Sequence, residues 1–456
     1  MRITRIFVEK LFGIFNHEIR LNLDDRITII HAPNGYGKTV ILKMLHGLLN
    51  SRYNELLTIP YKRFGVEFDD GRRLEVSREM ETEINNKSPN LSFTLYSKHK
   101  DKCESFTIKY IREALNPSFP LAALEESVPG LLRLGSRTWL YKLTGEEFST
   151  TEEVLDRFSD QIPLKLMADR QEERWLTEVK DEANIYLIES QRLLDFSNDG
   201  NFDNAGNVAH KTPRPTVNTY SDELVQEIKE RASKYASVSQ SLDRSFPTRV
   251  LRQRKSDNLT NKDLHDRWDE LEKHRNRLVD VGLLEKDDEQ NPLIQSQDDI
   301  DESTKNFLAV YIEDVEKKLD VFGDIAAKID LFRRIVNSKF SYKEIVVSRE
   351  KGFIFRSKYP EGSENYTSEL LSPSSLSSGE QHEIVLLYEL LFKVKEKSLV
   401  LIDEPELSLH ISWQVNFLKD LQEISKLADL DLLIATHAPS LIADRWDLTV
   451  ELKGVS

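Results

Sequence analysis

The sequence predicts an α/β fold that combines a mostly parallel sheet, an antiparallel side sheet and an inserted helical domain. Apolar runs at residues 27–30 and within 397–406 are typical of buried parallel strands. Alternating apolar and polar residues at 64–79 and 91–96 indicate antiparallel strands. Leucine, valine and isoleucine recur at helical spacing through the charge-rich residues 219–285, which predicts long surface helices.

The first part of the chain carries most of the predicted strands. Besides those above, periodicity predicts strands at 3–8, 19–23, 106–110 and 184–189. The hairpin within 64–79 is expected to turn at Asp69, Asp70 and Gly71, which interrupt the alternation. A helix is predicted from Lys38 to about Leu49. Residues 120–180 are predicted to be mainly helical.

The composition changes at residues 195–217, a polar stretch with glycines and prolines that predicts a loop. After it, residues 219–285 and 303–337 predict antiparallel helical arms that meet near Pro292. The last hundred residues read as strand, helix, strand, helix, strand. We therefore predict three parts, which are an N-terminal part of the α/β domain at 1–194, a helical insertion at 195–340 and a C-terminal part at 341–456.

Bulk composition narrows the class of protein. A chain of 456 residues is too long for one ordinary core. Its net charge of −15 argues against a protein whose whole surface attracts nucleic acid. The basic residues at 245–258 leave local DNA binding open. The single cysteine, Cys103, excludes an internal disulfide, and no apolar run reaches the length of a membrane span. These features predict a cytoplasmic protein with no membrane partner.

The segment HAPNGYGKT, residues 31–39, joins a strand to a helix and carries a phosphate-binding pattern. Its glycines let the backbone approach an anion, its lysine can reach terminal phosphates, and its threonine offers a hydroxyl to a magnesium ion. Ala32 stands where the pattern has its first glycine, at a cost of about 1 kcal/mol if the position requires positive φ. An ordinary glycine-rich turn is the alternative. The predicted nucleotide-binding residues here are Asn34, Gly35, Tyr36, Gly37, Lys38 and Thr39.

Two further strand ends carry groups suited to phosphate chemistry. Asp403 and Glu404 end the apolar run before them, where Asp403 suits a magnesium ion and Glu404 suits the general base for an attacking water. His437 ends the next such strand and can reach a γ-phosphate. Taken alone, an acidic pair of this kind is more often a helix cap, and a lone histidine is more often structural.

A Ser-Ser-Gly turn opens an apolar helix within residues 376–392. Its hydroxyl groups, glycine amide and helix dipole together make a second anion site, although a plain helix N-cap explains the turn if it stands alone. A single protein copy rarely needs two anion sites to bind one triphosphate. Two copies that face each other can each contribute one of the two sites. The pattern therefore predicts a nucleotide site that two copies share.

These motifs, in this order, resemble those of ABC-type ATPases, particularly the SMC-like and OLD-like branches. The phosphate loop is similar to the Walker A motif, Asp403 and Glu404 to Walker B, and His437 to the switch histidine. Gln191, just after a strand, is similar to the Q-loop residue. The signature motif of the family matches Ser377, Ser378, Gly379 and Glu380.

The resemblance implies an ABC-type P-loop NTPase head with the antiparallel side sheet and an inserted, coiled-coil-like helical domain. It implies ATP and Mg²⁺ as cofactors and slow hydrolysis of ATP to ADP and phosphate at a composite site between subunits. The implied catalytic residues are Glu404, His437 and Gln191. The implied metal ligands are Thr39, Asp403 and Gln191.

In overall length and in the sequence around its motifs, the chain resembles the ATPase subunits of PARIS anti-phage systems, the AriA family. That resemblance implies a homo-oligomeric scaffold. The smallest assembly it implies is a head-to-head dimer, and a hexamer is the larger alternative. It also implies that the scaffold holds a separate Toprim-type, AriB-like nuclease effector and releases it when a phage trigger protein is sensed. The chain reaches Ser456 soon after His437, so a fused Toprim domain is not expected.

Two other functions fit the motifs. One is an SMC-like or recombination-mediator DNA-repair ATPase that clamps DNA, against which the acidic net charge and the missing zinc-hook cysteines count. The other is a structural protein that nucleotide binding locks in place and whose hydrolysis is incidental. Phe12 and Phe15 precede the loop at a distance that suits stacking on adenine, and packing in the core is the alternative for each.

Overall fold

A computed structural model of the chain describes residues 1–80, 89–98, 101–109, 121–128, 130–135, 138–142, 146–149, 151–158, 172–188, 193–195, 214–252, 260–285, 302–358, 370–407 and 409–454. The chain divides into two units, the first formed by Met1–Arg214 and Phe392–Ser456 and the second by Pro215–Leu391. The three-part division predicted from the sequence stays a prediction. The predicted junction of the helical arms near Pro292 lies outside the described residues.

The strands are numbered as they follow one another along the chain. They are β1 (Ile3–Leu11), β2 (Phe15–Arg20), β3 (Ile27–His31), β4 (Arg63–Phe68), β5 (Arg73–Met80), β6 (Pro89–Tyr96), β7 (Lys102–Lys109), β8 (Leu131–Arg133), β9 (Trp139–Tyr141), β10 (Glu146–Phe148), β11 (Ile185–Ile188), β12 (Leu194–Asp195), β13 (Arg214–Pro215), β14 (Lys343–Ser348), β15 (Gly352–Ser357), β16 (Leu370–Leu371), β17 (Leu399–Asp403), β18 (Asp431–Thr436) and β19 (Thr449–Glu451).

The helices are interleaved with these strands. They are α1 (Lys38–Leu49), α2 (Asn54–Thr58), α3 (Leu121–Ser127), α4 (Thr151–Arg157), α5 (Arg174–Glu182), α6 (Thr216–Arg252), α7 (Asn261–Asp280), α8 (Glu302–Leu319), α9 (Gly323–Lys339), α10 (Ser378–Tyr388), α11 (Ile411–Ala428) and α12 (Pro439–Ile442). Across the described residues, no helix is both long enough and apolar enough to span a bilayer.

The first unit is built on a parallel sheet. Within the described residues its five strands lie in the order β11-β17-β18-β3-β19, and each neighbouring pair is parallel. All six residues of β18 are buried, as expected for a central strand covered on both faces. The predicted strand–helix alternation of the last hundred residues is confirmed by β17, α11, β18, α12 and β19. The carboxyl ends of β3, β17 and β18 therefore lie side by side at one edge of the sheet.

An antiparallel sheet belongs to the same unit. Its described strands lie in the order β2-β1-β4-β5-β6-β7. The predicted hairpin turn is confirmed, because Gly71 has φ of 88° and the Phe68 amide donates to the Arg72 carbonyl at 3.0 Å. Strand β2 begins and ends earlier than the predicted 19–23. It stops at Arg20 because the Asn22 side chain accepts the backbone N–H groups of the two aspartates that follow, which forms a turn.

The described part of residues 120–180 contains short strands as well as the predicted helices. In the described residues, β8, β9 and β10 form a small antiparallel sheet, and the short helices α3 and α4 accompany it. The fully buried Trp139 is the largest side chain of its core. Strands of three residues show too little alternation to be distinguished from helix by periodicity, which explains why these three strands were not predicted.

The second unit contains the long helices. Helices α6 to α9 occupy the regions predicted to be helical, and α8 packs against both α6 and α7. Asp314 of α8 is buried and pairs with Arg249 of α6, whose Nη2 lies 2.5 Å from Oδ2 of the carboxylate. Strands β14, β15 and β16 form an antiparallel sheet in the described part of this unit. Helix α10, which carries the predicted signature motif at its start, also lies in this unit.

Candidate active site

The loop between β3 and α1 has the backbone that a phosphate site needs. Gly35 and Gly37 have φ of 88° and 90°, in the left-handed region that favours glycine. A Cβ on Gly37 would lie 2.6 Å from Cδ2 of Leu11, so a larger residue has no room there. Among the residues that the structure describes, no side chain caps the N-terminus of α1. Its first backbone N–H groups and its dipole are therefore available to an anion.

Lys38, the first residue of α1, lies back across this loop. Its buried ammonium donates to the carbonyl oxygen of Ala32 at 2.8 Å and to that of Pro33 at 3.4 Å. The φ of Ala32 is not positive. Alanine in the place of the first glycine is therefore unstrained, and its carbonyl takes part in holding the lysine.

Aromatic rings pack against the loop between β3 and α1. The rings of Phe15 and Tyr36 stack with centroids 5.4 Å apart. His17 Nε2–H donates to the Tyr36 carbonyl at 3.1 Å, and burial lowers the pKa of His17, which favours the neutral ring. Phe15 is thus partly buried in the core. Phe12 is 39% exposed and its ring lies beside Gly37, so it is the more accessible of the two predicted adenine contacts.

The hydroxyl of Thr39 and the carboxylate of Asp403 meet across the edge of the parallel sheet. Thr39 Oγ1 donates to Asp403 Oδ1 at 3.1 Å, as the strand-end prediction requires. Burial raises the pKa of Asp403, and the nearby Glu404 carboxylate adds to this effect. A cation would relieve both penalties, and oxygen ligands of this type are those that Mg²⁺ prefers. The residues present therefore fit a magnesium nucleotide at this edge.

Glu404 follows β17 in an unusual conformation. Its φ is 45°, which costs about 1 kcal/mol for a residue with a Cβ. Its N–H donates to the carbonyl of Ala435 in β18 at 2.8 Å, and its own carbonyl accepts from Leu407 at 3.1 Å. Strained backbone of this kind is typical of functional sites. The partly buried carboxylate stands next to the metal-suited Asp403.

His437 lies at the end of β18 beside two carboxylates. Its Nδ1 is 3.7 Å from Glu404 Oε1 and 3.0 Å from Glu406 Oε1. The imidazole is 45% exposed. Sequence reasoning missed Glu406, although a second carboxylate two residues after Glu404 was a visible signal. The structure thus brings together the Walker A and Walker B residues and the histidine within the first unit.

The predicted signature residues lie in the second unit, at the start of α10. Ser377 is the N-cap, and its hydroxyl accepts from the Glu380 amide while the Glu380 carboxylate accepts from the Ser377 amide, at 2.9 Å. Lys343 Nζ also donates to both oxygens of Glu380, at 2.8 and 2.7 Å. Burial raises the pKa of Glu380, but these bonds outweigh it and leave the pKa lowered. Ser378 is exposed, and Gly379 is partly buried.

One predicted site residue cannot be placed. Gln191, assigned both catalytic and metal-binding roles, lies outside the described residues. The described strand β11 ends at Ile188, shortly before it, and β11 is a neighbour of β17 in the parallel sheet. The roles assigned to Gln191 and to the other site residues stay predictions.

Comparison with known proteins agrees with this geometry. A family model described as the AAA ATPase domain matches residues 1–442. Solved structures similar to the chain include the SMC head domain from Thermotoga maritima, with 11% identity over 99% of this chain and 94% of that one and a TM-score of 0.34. Another is the Smc head domain from Pyrococcus furiosus bound to the C-terminal domain of ScpA, with 14% identity over 97% and 91% and a TM-score of 0.33.

A search of curated proteins found no match. The predicted ABC-type ATPase fold is confirmed, with a phosphate loop after β3, carboxylates at the end of β17 and an antiparallel sheet in the same unit. With nearly its whole length matched by one family model, the chain belongs to the AAA ATPase domain family.

Proposed function

We propose that this ATPase binds ATP with Mg²⁺ at the edge of its parallel sheet and hydrolyses it slowly at a site that a second copy completes. The observation that carries the proposal is the contact between Thr39 and Asp403, which are 364 residues apart in sequence. A hydroxyl and a carboxylate held together beside a lysine and an uncapped helix N-terminus suit a metal-bound triphosphate.

Each residue of the first unit has a distinct part in this proposal. Lys38 and the loop amides from Asn34 to Thr39 hold the phosphates, and Thr39, Asp403 and Gln191 hold the metal. Bound Mg²⁺ supplies charge neutralisation there. Glu404 accepts the proton of the attacking water. His437 would donate a ring N–H to an oxygen of the terminal phosphate and, with Gln191, would couple occupancy of that phosphate site to closure.

The second copy contributes the start of its α10. Ser377 and Glu380 satisfy each other in a capping box, and Lys343 holds Glu380. The proposed role of Glu380 is therefore to hold the conformation of the Ser-Ser-Gly turn. The exposed Ser378 and the amide of Gly379 then stand at a helix N-terminus, where an anion is stabilised. A head-to-head dimer is the smallest assembly that uses both sites, and a hexamer is the larger form.

The biological role we propose is that of an AriA-type scaffold and sensor in anti-phage defence. The support is the sequence resemblance described above, together with a net charge of −15, which suits protein partners better than nucleic acid. The scaffold would hold a Toprim-type, AriB-like nuclease and release it when a phage trigger protein binds.

Co-expression with a Toprim-like nuclease encoded next to this chain tests the role. We expect the two proteins to purify together and the nuclease to be released in infected cells. Lys38→Ala should abolish release. Full signalling by Lys38→Ala would remove nucleotide control from the mechanism, and failure of the nuclease to bind would remove the scaffold role.

A DNA-repair clamp is the second candidate, and the basic stretch at 245–258 favours it. Arg249 in this stretch is already paired with the buried Asp314, so it is not available to a phosphate. Residues 253–258 lie outside the described part of the chain. This candidate predicts DNA-stimulated hydrolysis and DNA affinity that falls steeply with salt. Hydrolysis indifferent to duplex DNA would reject it.

A further inference from the structure

Glu406 makes an unusual set of contacts for a residue just after the Walker B pair. One of its carboxylate oxygens, Oε1, accepts from Thr436 Oγ1 at 2.8 Å and from the His437 amide at 3.0 Å. The same oxygen lies 3.0 Å from Nδ1 of the His437 ring. All three contacts are with the end of β18. A single oxygen therefore holds both the backbone and the side chain of His437.

The Glu406 carboxylate is held in a buried position. The Glu406 side chain is only 6% exposed. Within the described residues, its second oxygen, Oε2, is buried without a hydrogen-bond partner. Native proteins rarely leave a buried polar atom unpaired, and the exceptions require an explanation. The position of this carboxylate is therefore set by the contacts of Oε1 with the end of β18.

The contact determines which ring nitrogen of His437 remains for other chemistry. A carboxylate only accepts hydrogen bonds, so the 3.0 Å approach of Nδ1 to Glu406 Oε1 favours the ring form with a hydrogen on Nδ1. Nε2 is then the nitrogen left to accept from a water or, in the imidazolium form, to donate to a phosphate oxygen. The Glu404 carboxylate lies farther from the same Nδ1, at 3.7 Å rather than 3.0 Å. Glu406 thus takes the imidazole hydrogen that would otherwise be shared with the general base.

We propose that Glu406 is a positioning residue for ATP hydrolysis, which orients His437 through Nδ1 and keeps Glu404 free to accept a proton from water. The inference rests on the proposed roles of Glu404 and His437. A purely structural alternative exists, in which Glu406 only joins the ends of β17 and β18. The two differ in whether the effect of Glu406 depends on the histidine ring.

A double-mutant cycle distinguishes them in the full-length protein with Mg-ATP. Glu406→Gln keeps the size of the side chain and removes its charge. We expect kcat to fall about 10- to 100-fold, the range found for carboxylates that orient metal-binding histidines, with KM and the affinity for a fluorescent ATP analogue unchanged. In a His437→Ala background the same substitution should have no further effect on kcat. The control is Glu178→Gln, which removes one exposed carboxylate of α5 and should change neither constant.

The outcomes separate this inference from the proposed site. Equal losses of kcat from Glu406→Gln in both backgrounds would show a structural role and overturn the inference. So would an unchanged kcat in Glu406→Gln while Glu404→Gln and His437→Ala are impaired. If Glu404→Gln and His437→Ala both hydrolyse ATP at the full rate, the proposed active site itself is wrong.

A second measurement needs no substitution at Glu406. In protein labelled with ¹⁵N-histidine, the side-chain nitrogen spectrum reports which ring nitrogen carries hydrogen, and His437→Gln identifies the signal. We expect hydrogen on Nδ1 of His437. A bare Nδ1, with the hydrogen on Nε2 alone, would overturn the inference even if Glu406→Gln does not fold.

Discussion

Thr39 at the start of α1 donates a hydrogen bond to Asp403 at the end of β17, at 3.1 Å. The first unit consists of two segments that are separated in sequence by the second unit, and this contact joins one segment to the other. It forms because β18 separates β3 from β17 in a parallel sheet, so that their carboxyl ends share one edge. Metal binding by the ATPase is expected to depend on this geometry.

Glu404→Gln should bind ATP but hydrolyse it very slowly. The amide keeps the size of the side chain but cannot accept a proton, and loss of a general base typically lowers the rate about 10²–10⁴-fold. Phosphate release and nucleotide affinity measure the two properties separately. Glu18→Gln, at a partly exposed residue of β2, is the control. Rapid hydrolysis by Glu404→Gln would assign the base to another residue.

Lys38→Ala should lose nucleotide binding. The substitution removes the buried ammonium that lies across the loop carbonyls, and no other group of the loop carries a positive charge. Lys62→Ala, which removes an exposed lysine of the same unit, should bind ATP normally. Calorimetric titration with ATP and Mg²⁺ measures both. Wild-type affinity in Lys38→Ala would place the nucleotide elsewhere.

The two loop positions at which glycine is expected should respond differently to substitution. Ala32 does not have positive φ, so Ala32→Gly should not tighten ATP binding and should lower the free energy of unfolding by about 0.5–1 kcal/mol through chain entropy. Gly37→Ala places a Cβ at φ of 90° and against Leu11, which should cost more than about 1 kcal/mol. Chemical denaturation of both variants tests this. Tighter ATP binding by Ala32→Gly would show that the alanine weakens the site.

A buried cluster away from the active site should matter for stability alone. Lys180 of α5 is buried, donates to Glu172 at 2.7 Å and also bonds the hydroxyl of Tyr53. Lys180→Ala leaves the Glu172 carboxylate without this cation, which should lower the free energy of unfolding by about 3 kcal/mol. Arg174→Ala breaks an exposed pair with Glu178 and should change it by less than about 1 kcal/mol. Equal effects of the two substitutions would contradict this assignment.

The same lysine predicts how stability depends on pH. Burial lowers the pKa of Lys180 to about 8, below its ordinary value of 10.5. Between these pH values the folded chain has released a proton that the unfolded chain still binds. The contribution of this group to stability therefore rises as the pH increases from about 8 to about 10.5. The free energy of unfolding, measured across this pH range, should show this rise in the wild-type protein and lack it in Lys180→Met.

The strand ends were predictable from the sequence, and the contacts around them were not. Asp403 and His437 could be assigned because each follows an apolar run that must be buried, and parallel strands end at a common edge. Glu406 was missed because its role depends on how the turn after Glu404 folds back against Thr436, and no periodicity reports that. Glu380 stays a predicted residue of the nucleotide site, and the structure shows its carboxylate held by Ser377 and by Lys343, a contact that no sequence pattern reports.

The central claim is that each nucleotide is held by the loop of one copy and the signature turn of another, and mixing two variants tests it most directly. Lys38→Ala disables the loop, and Ser378→Arg disables the signature turn. Each alone should be inactive. In a mixed dimer, the intact loop of the Ser378→Arg copy faces the intact turn of the Lys38→Ala copy, so mixing should restore ATP hydrolysis at one site. If the two variants fold and assemble together but the mixture stays as inactive as each alone, the shared site is contradicted.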